Sequence, residues 1–384
     1  MRFREQIGEA LAELEGLGLL RRPRRVSGPQ GPEIEVDGRR VLCFCSNNYL
    51  GLADHPELAR AARGEDGFGA AASRLITGSM DAHHETEEAL AAFVRAPTAA
   101  LFANGYAANV GSVQALVGAG DQVFSDALNH ASLIDGCRLS RAQVHVYRHR
   151  DLDHLEQLLR QHATEAGRAL IVTDSLFSMD GVFAPIEALA ELAHQHGAGL
   201  MIDEAHSLGV FGPEGSGVCA AMGVVPDALV GTLGKSFGGA GAFVAGSHEI
   251  VSVIRNQARS YVFSTAPPPP VVRAAGRAID LVRAASEERA ALLAHSARLR
   301  EELNQLGFEV PPGTSQIIPI LIGDKARAMR LSASLFDRGV FVQGIRPPTV
   351  APGTSRLRLT PMASHSDDHL DRALAAFAAL APTG

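Results

Sequence analysis

The sequence predicts an α/β protein with a mostly parallel central sheet, helices on both faces of that sheet, and a smaller α+β domain at the C-terminal end. Short apolar runs alternate with helical patterns from about residue 40 to residue 263, which is typical of a parallel sheet covered on both faces. Four consecutive prolines at 267–270 end the alternation. A long helical pattern and a few short apolar runs follow, which indicates the smaller domain.

At the N-terminus, residues 4–20 are predicted to form an amphipathic helix. Its apolar side chains recur at helical spacing: Ile7, Leu11, Leu14 and Leu17. A basic connector rich in proline and glycine follows, up to Pro32. The expected division of the chain is, in order, an N-terminal helix and arm (1–42), a large α/β domain (43–270) and a C-terminal α+β domain (271–384).

Seven apolar runs are the strand candidates of the central sheet: 98–102, 122–124, 143–147, 169–173, 199–202, 228–231 and 241–245. Helical patterns separate several of them, for example 152–161 and 186–196. Beyond the prolines the expected elements are, in order, one long helix around 271–305 and strands near 316–322, 340–343 and 356–360.

Composition excludes several classes of protein. The net charge of −7 provides no electrostatic attraction to nucleic acid or to an anionic membrane. No apolar run reaches the roughly 18 residues that span a bilayer, and the N-terminus lacks the apolar core of a signal peptide. The four cysteines are too few and too scattered for a disulfide framework, which favours buried thiols and a cytoplasmic location: Cys43, Cys45, Cys137 and Cys219.

Lys235 is predicted to be the reactive residue. Only two of the thirty-five basic side chains are lysine, Lys235 and Lys325. Arginine stays protonated near neutral pH, so it can neither form a Schiff base nor act as a base. Lys235 lies among glycines and hydroxyl side chains directly after the apolar run 228–230, which indicates amine chemistry, whereas Lys325 has no comparable setting.

Other polar clusters also follow predicted strands, at the edge of an α/β sheet where ligands bind. Asp203 and His206 follow one strand, and Asp174 and Ser178 follow another. Asn104 begins a turn that opens a helix, whose first backbone amides suit a phosphate. We therefore expect these clusters to meet Lys235 at one edge of the sheet.

Two chemistries compete for these residues. The string Asp-Glu-Ala-His at 203–206 resembles a helicase box, and Gly234-Lys235-Ser236 resembles part of a phosphate-binding loop. That loop requires a glycine at position 229, where this chain has Leu229, and it should precede the acidic box. The NTPase interpretation is therefore rejected.

The alternative is a pyridoxal 5'-phosphate site, which needs a lysine, a carboxylate for the ring nitrogen and a phosphate cradle. Lys235 supplies the amine and Asp203 the carboxylate, while His206 is placed to reach the ring hydroxyl. His130 is predicted to stack on the ring. The residues predicted to bind the phosphate or the ring substituents are Gly105, Tyr106, Ser178 and Thr232.

Long, ordered motifs carry a resemblance that runs nearly end to end: SNNYLGL at 46–52, SRLITG at 73–78, FSMDG at 177–181, IDEAHS at 202–207, TLGK at 232–235 and FSTA at 263–266. Through them the chain resembles the α-oxoamine synthase family of pyridoxal phosphate enzymes, within the fold-type I, aspartate aminotransferase-like superfamily. The resemblance implies a homodimeric enzyme, with active sites shared between the subunits, that condenses an amino acid with an acyl thioester and releases carbon dioxide and CoA.

The stretch 345–358 most resembles the branch of the family that works in biotin synthesis, on L-alanine and a pimeloyl thioester carried by CoA or a carrier protein. Sister branches that join glycine to acetyl-CoA or succinyl-CoA remain the alternative. The resemblance implies catalytic roles for Lys235, His130 and Asp203, with Lys235 removing the Cα proton. The implied substrate-binding residues are Arg21, Asn47, His130, Arg346, Thr349 and Arg358. Of these, Arg358, assisted by Asn47, is expected to bind the amino acid carboxylate, and Arg356 lies on the same face of the same predicted strand, so the roles of the two arginines are not separated.

Some positions depart from the family pattern. Ala71 and Ala72 stand where a Gly-Gly pair is usual, so an alanine is strained there if the loop needs positive φ. Asp174 stands where glutamate is common, outside the residues expected to bind the cofactor. No metal is expected, because the adjacent His83 and His84 lack partners at ligand spacing and are predicted to be solvated helix residues.

Overall fold

The computed structural model describes residues 2–163 and 167–381. The chain divides into two compact units, one formed by Asn47–Leu292 and the other by Met1–Ser46 together with Leu293–Gly384. Each unit contains its own clusters of buried apolar side chains. Among the described helices, none is long and apolar enough to cross a membrane.

The strands of the described residues are, in chain order: β1 (Val26–Ser27), β2 (Glu33–Val36), β3 (Arg39–Cys43), β4 (Thr98–Phe102), β5 (Gln122–Asp126), β6 (Gln143–Tyr147), β7 (Ala169–Asp174), β8 (Gly199–Asp203), β9 (Ala228–Thr232), β10 (Ala242–Gly246), β11 (Ile318–Gly323), β12 (Val340–Phe341), β13 (Gln343–Ile345) and β14 (Ser355–Leu359).

The α-helices of the same residues are, in chain order: α1 (Arg2–Gly16), α2 (Pro56–Ala61), α3 (Asp81–Phe93), α4 (Gly105–Leu116), α5 (Ala131–Ser140), α6 (Leu152–His162), α7 (Ile186–Gln195), α8 (Val218–Ala221), α9 (His248–Gln257), α10 (Arg259–Val262), α11 (Pro269–Ala284), α12 (Ser286–Gln305), α13 (Lys325–Asp337) and α14 (Asp367–Ala378).

The central sheet of the unit Asn47–Leu292 has the strand order β4-β10-β9-β8-β7-β5-β6. Strand β10 is antiparallel to both of its neighbours, and the other pairs are parallel. Alternate strand residues pack into two separate cores, as Ile171 lies in one and Leu170 and Val172 lie in the other. The predicted fold, a mostly parallel sheet covered on both faces, is confirmed.

The seven predicted strands lie where expected, and four of them extend to include the polar residue at their carboxyl end. These added residues are Asp126, Asp174, Asp203 and Thr232. Each is therefore held by strand pairing and does not lie in a loop, which restricts the directions its side chain can take.

The single long helix predicted around 271–305 is wrong, because helices α11 and α12 are separated at Ala285, where ψ is 45°. The guanidinium group of Arg289 donates hydrogen bonds to the carbonyl oxygens of Val282 and Arg283 at the end of α11. Acidic residues in the first turn of α12 favour a new helix start there. Local capping therefore outweighs the continuous helical periodicity.

In the other unit, β2 and β3 form a hairpin that the sequence analysis did not predict. Its two-residue turn is Asp37-Gly38, with φ of 53° and 79°, and an Asp-Gly pair between apolar strands is a strong hairpin signal. Strand β12 extends the hairpin in parallel, and β11, β14 and β13 form a second sheet. The predicted C-terminal run near 340–343 is therefore two strands belonging to different sheets.

The predicted N-terminal helix is present as α1, although it ends at Gly16 and not at residue 20. None of the described residues Arg2–Gly16 is buried. Its apolar side chains, together with the following Leu17, are exposed: Phe3, Ile7, Leu11, Leu14 and Leu17.

Candidate active site

The carboxyl ends of four neighbouring strands lie along one edge of the central sheet. Because β9, β8, β7 and β5 are parallel, Thr232, Asp203, Asp174 and Asp126 all end strands at this edge. Strand β4 runs in the same direction, since it is antiparallel to β10, and it leads into helix α4 there. The predicted convergence of polar clusters is thus what this topology produces.

The amine of Lys235 is held by a short chain of hydrogen bonds. Its Nζ lies 2.8 Å from Nε2 of His206, and the Nδ1 of that ring lies 2.7 Å from the hydroxyl of Tyr49. The same hydroxyl donates to Oδ1 of Asn47 at 3.0 Å. Tyr49 and His206 are both buried, and Lys235 is half-buried. Two residues that the sequence assigned to separate tasks, Asn47 and His206, are joined through Tyr49.

The carboxylate of Asp203 is oriented from two sides. Its Oδ1 accepts from the backbone N–H of Ala205 at 2.8 Å, and its Oδ2 accepts from Nδ2 of Asn109 at 2.6 Å. Asn109 also donates to the hydroxyl of Ser132 at 2.9 Å, and that hydroxyl lies 2.7 Å from Nδ1 of His130. Helix α4 thereby links the carboxylate of Asp203 to the ring of His130.

His130 caps the N-terminus of α5, where its Nδ1 accepts from the backbone N–H of Ser132. Burial lowers the pKa of His130. The negative charge of Asp203 raises this pKa and the positive charge of Lys235 lowers it. Part of the residue remains exposed. The cap holds the ring in place through its Nδ1 side. The position predicted to stack on a planar ligand is therefore occupied by an oriented, partly accessible imidazole.

Asp174 lies at this edge of the sheet, as expected. It also contacts His130, so the expectation that it stands apart from the cofactor-binding residues is wrong. Its Oδ2 accepts from the backbone N–H of His130 at 2.7 Å, and its own N–H donates to Asn129. Burial, reinforced by the neighbouring charge of Asp203, raises the pKa of Asp174 well above its usual range. The strand pairing β7–β8, which sequence spacing does not reveal, brings the two carboxyl groups together.

The start of helix α4 lies beside Thr232 at the end of β9. Asn104 caps this helix by accepting from the N–H of Ala107, and a Cβ placed on Gly105 would stand 3.9 Å from the hydroxyl of Thr232. The N-terminal amides of a helix favour an anion. The Tyr106 hydroxyl donates to Asp135, a hydrogen bond that raises the pKa of Tyr106, so its side chain turns toward α5.

Ser178 lies in the turn after β7, which is closed by hydrogen bonds from Phe177 N–H to the Val182 carbonyl and from Gly181 N–H to the Phe177 carbonyl. The structure thus places it at the same edge of the sheet. Each cofactor-binding residue predicted from the sequence lies at this edge within the unit Asn47–Leu292: Gly105, Tyr106, His130, Ser178, Asp203, His206, Thr232 and Lys235.

The other unit contains a separate group of predicted substrate residues. The guanidinium group of Arg21 donates to the hydroxyl of Thr349 at 3.2 Å. Arg346 donates to the carbonyl oxygen of Leu20 at 3.1 Å, so it holds the chain segment that carries Arg21. The segment of Arg21 is thus brought to Arg346 and Thr349, which lie more than 300 positions later in the chain, and the side chains of Arg21 and Thr349 remain exposed.

Arg356 and Arg358 are both buried on the central strand of the second sheet of that unit. The Nε of Arg356 donates to the carbonyl oxygen of Thr354 at 3.1 Å. The assignment of the amino acid carboxylate to Arg358 remains a prediction.

One minor expectation is corrected. His83 is not solvated but fully buried, with Nδ1 accepting from the N–H of Met80 and Nε2 bonded to the carbonyl oxygen of Pro267 at 2.9 Å. Its role is to tie the start of α3 to the proline run. In the part of the chain that the structure describes, no group of three or more histidine, cysteine or acidic side chains is arranged to hold a metal.

Three residues that orient the site were not predicted from the sequence: Tyr49, Asn109 and Ser132. Tyr49 stands inside a quoted motif, but nothing local indicates that its hydroxyl reaches a histidine 157 positions away. Asn109 is likewise 94 positions from Asp203. A buried amide needs hydrogen-bond partners, but α4 also contains Ser112 and Gln114, and its sequence does not single out Asn109.

Comparison with known proteins gives a consistent result. Residues 39–377 match the aminotransferase class I and II family. The chain is similar to the 8-amino-7-oxononanoate synthase of Geobacter sulfurreducens, with 50% identity over 381 residues and 97% of each chain covered.

The chain is also similar to solved structures. A serine palmitoyltransferase from S. paucimobilis with a bound PLP–myriocin aldimine has a TM-score of 0.92 and 32% identity, covering 98% of this chain and 97% of that one. An 8-amino-7-oxononanoate synthase from Francisella tularensis has a TM-score of 0.75 and 28% identity, covering 88% of this chain and 97% of that one.

Proposed function

The chain belongs to the aminotransferase class I and II family and, within it, to the 8-amino-7-oxononanoate synthases, and we propose that it condenses L-alanine with a pimeloyl thioester. The products are 8-amino-7-oxononanoate, carbon dioxide and the free thiol, in a step of biotin synthesis. The observation that carries the proposal is the meeting of Lys235, Asp203 and the Gly105–Thr232 cradle at one edge of the sheet.

The residues present fit pyridoxal 5'-phosphate. An amine, a carboxylate held by two donors and a helix N-terminus beside a threonine hydroxyl are the groups this cofactor requires. Lys235 would hold its aldehyde carbon, Asp203 its ring nitrogen, and Gly105 with Thr232 its phosphate. When bound, the cofactor supplies an electron sink that stabilises negative charge at the amino acid Cα.

The remaining tasks fall to side chains of this chain. Once its amine is released, Lys235 takes the Cα proton of alanine and later returns a proton to the same carbon. Asp203, fixed by Asn109 and Ala205, keeps a negative group opposite the ring nitrogen. His130, fixed by its cap, excludes water from one face of the ring.

Substrate carboxylates are assigned to arginines, because a guanidinium group binds a carboxylate through two hydrogen bonds. Arg358, with Asn47 assisting, is proposed to bind the carboxylate of alanine. Arg21, supported by Thr349 and by the contact of Arg346 with Leu20, is proposed to bind the terminal carboxylate of the pimeloyl chain. The acetyl group has no terminal carboxylate for Arg21 to bind, whereas the succinyl group has one on a shorter chain than pimeloyl.

We also propose that the working form is a homodimer. Two loops, joined by a bridge between Ser73 and Thr265, carry an exposed apolar patch. The members of the patch are 55% to 86% exposed: Phe68, Leu75, Ile76 and Phe263. A second copy of this chain is the proposed cover, since apolar surface of this kind marks interaction sites. Sedimentation of the active enzyme as a monomer would contradict this.

The reaction is assigned to the cytoplasm. All four cysteines are free, three of them buried, as expected in a reducing compartment: Cys43, Cys45, Cys137 and Cys219.

The deciding experiment is thiol release by the purified protein from three substrate pairs in parallel. These are L-alanine with pimeloyl-CoA, glycine with acetyl-CoA, and glycine with succinyl-CoA. Release with the alanine pair alone is expected. Release with a glycine pair, and none with alanine, would overturn the substrate assignment in favour of a sister activity while leaving the cofactor and Lys235 in place.

A further inference from the structure

The hydrogen-bond chain Asn47–Tyr49–His206–Lys235 has a direction. Oδ1 of Asn47 can only accept, so the one proton of the Tyr49 hydroxyl is donated to it. The hydroxyl oxygen must then accept from Nδ1 of His206, which lies 2.7 Å away. A neutral imidazole carries one N–H, so the proton on Nδ1 leaves Nε2 with its lone pair, directed at the amine of Lys235 2.8 Å away.

A lysine ammonium cannot attack an aldehyde until it loses a proton. From this arrangement we infer that His206 accepts that proton and that Tyr49 is the positioning residue that keeps His206 able to do so. One proton moves from Nζ of Lys235 to Nε2 of His206, leaving a neutral amine and an imidazolium whose Nδ1–H still donates to Tyr49. Net charge is unchanged, and the imidazolium later releases its proton to solvent.

Other charges face this pair and must be considered with it. Asp203 at the end of β8, Asp174 at the end of β7 and His130 at the start of α5 all interact electrostatically with one another or with Lys235. Negative charge on these carboxyl groups favours positive charge nearby, so it favours retention of the proton within the pair of His206 and Lys235. The hydrogen bond from Nδ1 to Tyr49 persists before and after the transfer, and it fixes the tautomer that leaves Nε2 able to accept the proton of Lys235.

The inference deepens the proposed role of Lys235 as the cofactor anchor and rests on it. The test uses the full-length, cofactor-free chain. The quantity measured is the capture rate, meaning the rate at which the chain forms a Schiff base with added pyridoxal 5'-phosphate, between pH 6 and pH 9. In the Tyr49→Phe variant, the capture rate at pH 7 should fall at least about tenfold, the loss expected when a general base is removed. The difference in rate between the variant and the unaltered protein should shrink as the pH rises. At high pH the amine of Lys235 loses its proton to solvent, so it no longer needs His206 as the acceptor.

A matched control is available in Tyr261→Phe, since Tyr261 is also buried in the same unit but stands outside this chain of hydrogen bonds. Its capture rate should follow that of the unaltered protein at each pH. A Tyr49→Phe rate that falls equally at all pH values, as a merely structural defect would produce, overturns the inference. So does a rate equal to that of the unaltered protein.

A second measurement needs no folded Tyr49 variant. In protein labelled with ¹⁵N-histidine, the His206 ring should show a protonated Nδ1 and an unprotonated Nε2 when neutral, with its signals assigned by their loss in His206→Gln. The opposite tautomer would overturn the inference. If Lys235 were not the anchor, the Lys235→Ala variant would form a Schiff base with the cofactor at the rate of the unaltered protein. This outcome would contradict the proposed role of Lys235, and it differs from each outcome that would contradict the roles of His206 and Tyr49.

Discussion

Asp174 and Asp203 are register partners at the ends of adjacent parallel strands, and both are buried. Two carboxyl groups this close in a buried setting cannot both ionise readily, because each charge disfavours the other. Asp174 responds with a pKa well above its usual range, caused first by burial and then by Asp203. Asp174 thus keeps its proton to a higher pH than a free aspartic acid does.

The pH dependence of stability should reveal this proton. The contribution of Asp174 to folding is fully present below the unfolded pKa of about 3.9 and is lost as the pH rises through its raised folded pKa. Asp174→Asn cannot ionise, so relative to the unaltered protein its free energy of unfolding should increase as the pH rises from 5 to 8. The gain is about 1.4 kcal/mol per unit of pKa shift that this window covers. Urea unfolding at several pH values measures this difference in the free energy of unfolding. A difference that stays constant with pH, or the same increase in the exposed control Asp280→Asn, would refute the prediction.

Replacing Lys235 with alanine should reduce thiol release by roughly a thousandfold, because the residue that takes and returns the Cα proton is lost. After borohydride reduction, mass spectrometry should find cofactor attached to the Lys235 peptide of the unaltered protein and to no peptide of the variant. Lys325→Arg is the matched control, since Lys325 is the other lysine of the chain and contacts the carbonyl of Leu17. Normal turnover by Lys235→Ala would sink the mechanism.

Asn109→Ala should weaken cofactor binding although Asn109 itself is not assigned to the cofactor. The change removes the 2.6 Å hydrogen bond to Asp203, and such bonds to carboxylates contribute about 1.5–3 kcal/mol. We expect the Kd for pyridoxal 5'-phosphate to rise roughly tenfold, measured by fluorescence titration. Asn256→Ala removes a similar amide bond on the surface and should change nothing; equal effects of the two variants would argue against the role of Asn109.

Ala71→Gly should stabilise the protein. Ala71 has φ of 57°, in the left-handed region where a Cβ costs roughly 1–2 kcal/mol and glycine costs nothing. We expect a gain of about 1 kcal/mol in urea unfolding at fixed protein concentration. Its neighbour Ala72 does not have positive φ, so Ala72→Gly should instead lose roughly 0.5–1 kcal/mol. Identical shifts in both variants would mean that the strain at position 71 is absent.

Arg21→Ala should raise the KM for pimeloyl-CoA by roughly tenfold or more, the loss of a charge-assisted pair, and leave the KM for alanine unchanged. Arg22→Ala is the control, because Arg22 pairs with Glu15 on the exposed surface. Steady-state kinetics with each substrate varied separately measures both values. An Arg21→Ala enzyme with an unaltered KM for the thioester would remove Arg21 from the substrate site.

Much of the active site was predictable because its signals are local. Lys235 is conspicuous in a chain that otherwise uses arginine, and Asp203 and His206 directly follow a buried strand. The helix break at Ala285 and the hairpin at Asp37-Gly38 also had local signals that periodicity alone does not weigh. Tyr49 and Asn109 had no such signal for their partners, because a hydrogen bond between distant residues depends on how strands are ordered in the sheet.

The sequence by itself determined the elements, their alternation and the kinds of side chain at the ends of the strands, because periodicity, turn chemistry and side-chain reactivity are properties of neighbouring residues. Tertiary structure alone decided which of those ends became neighbours. Through that choice it raised the pKa of Asp174, placed the ring of His206 against the hydroxyl of Tyr49 and fixed the orientation of Asp203. These quantities depend on distances of a few ångströms between strands and helices far apart in the chain, and electrostatic and hydrogen-bond energies change steeply over such distances.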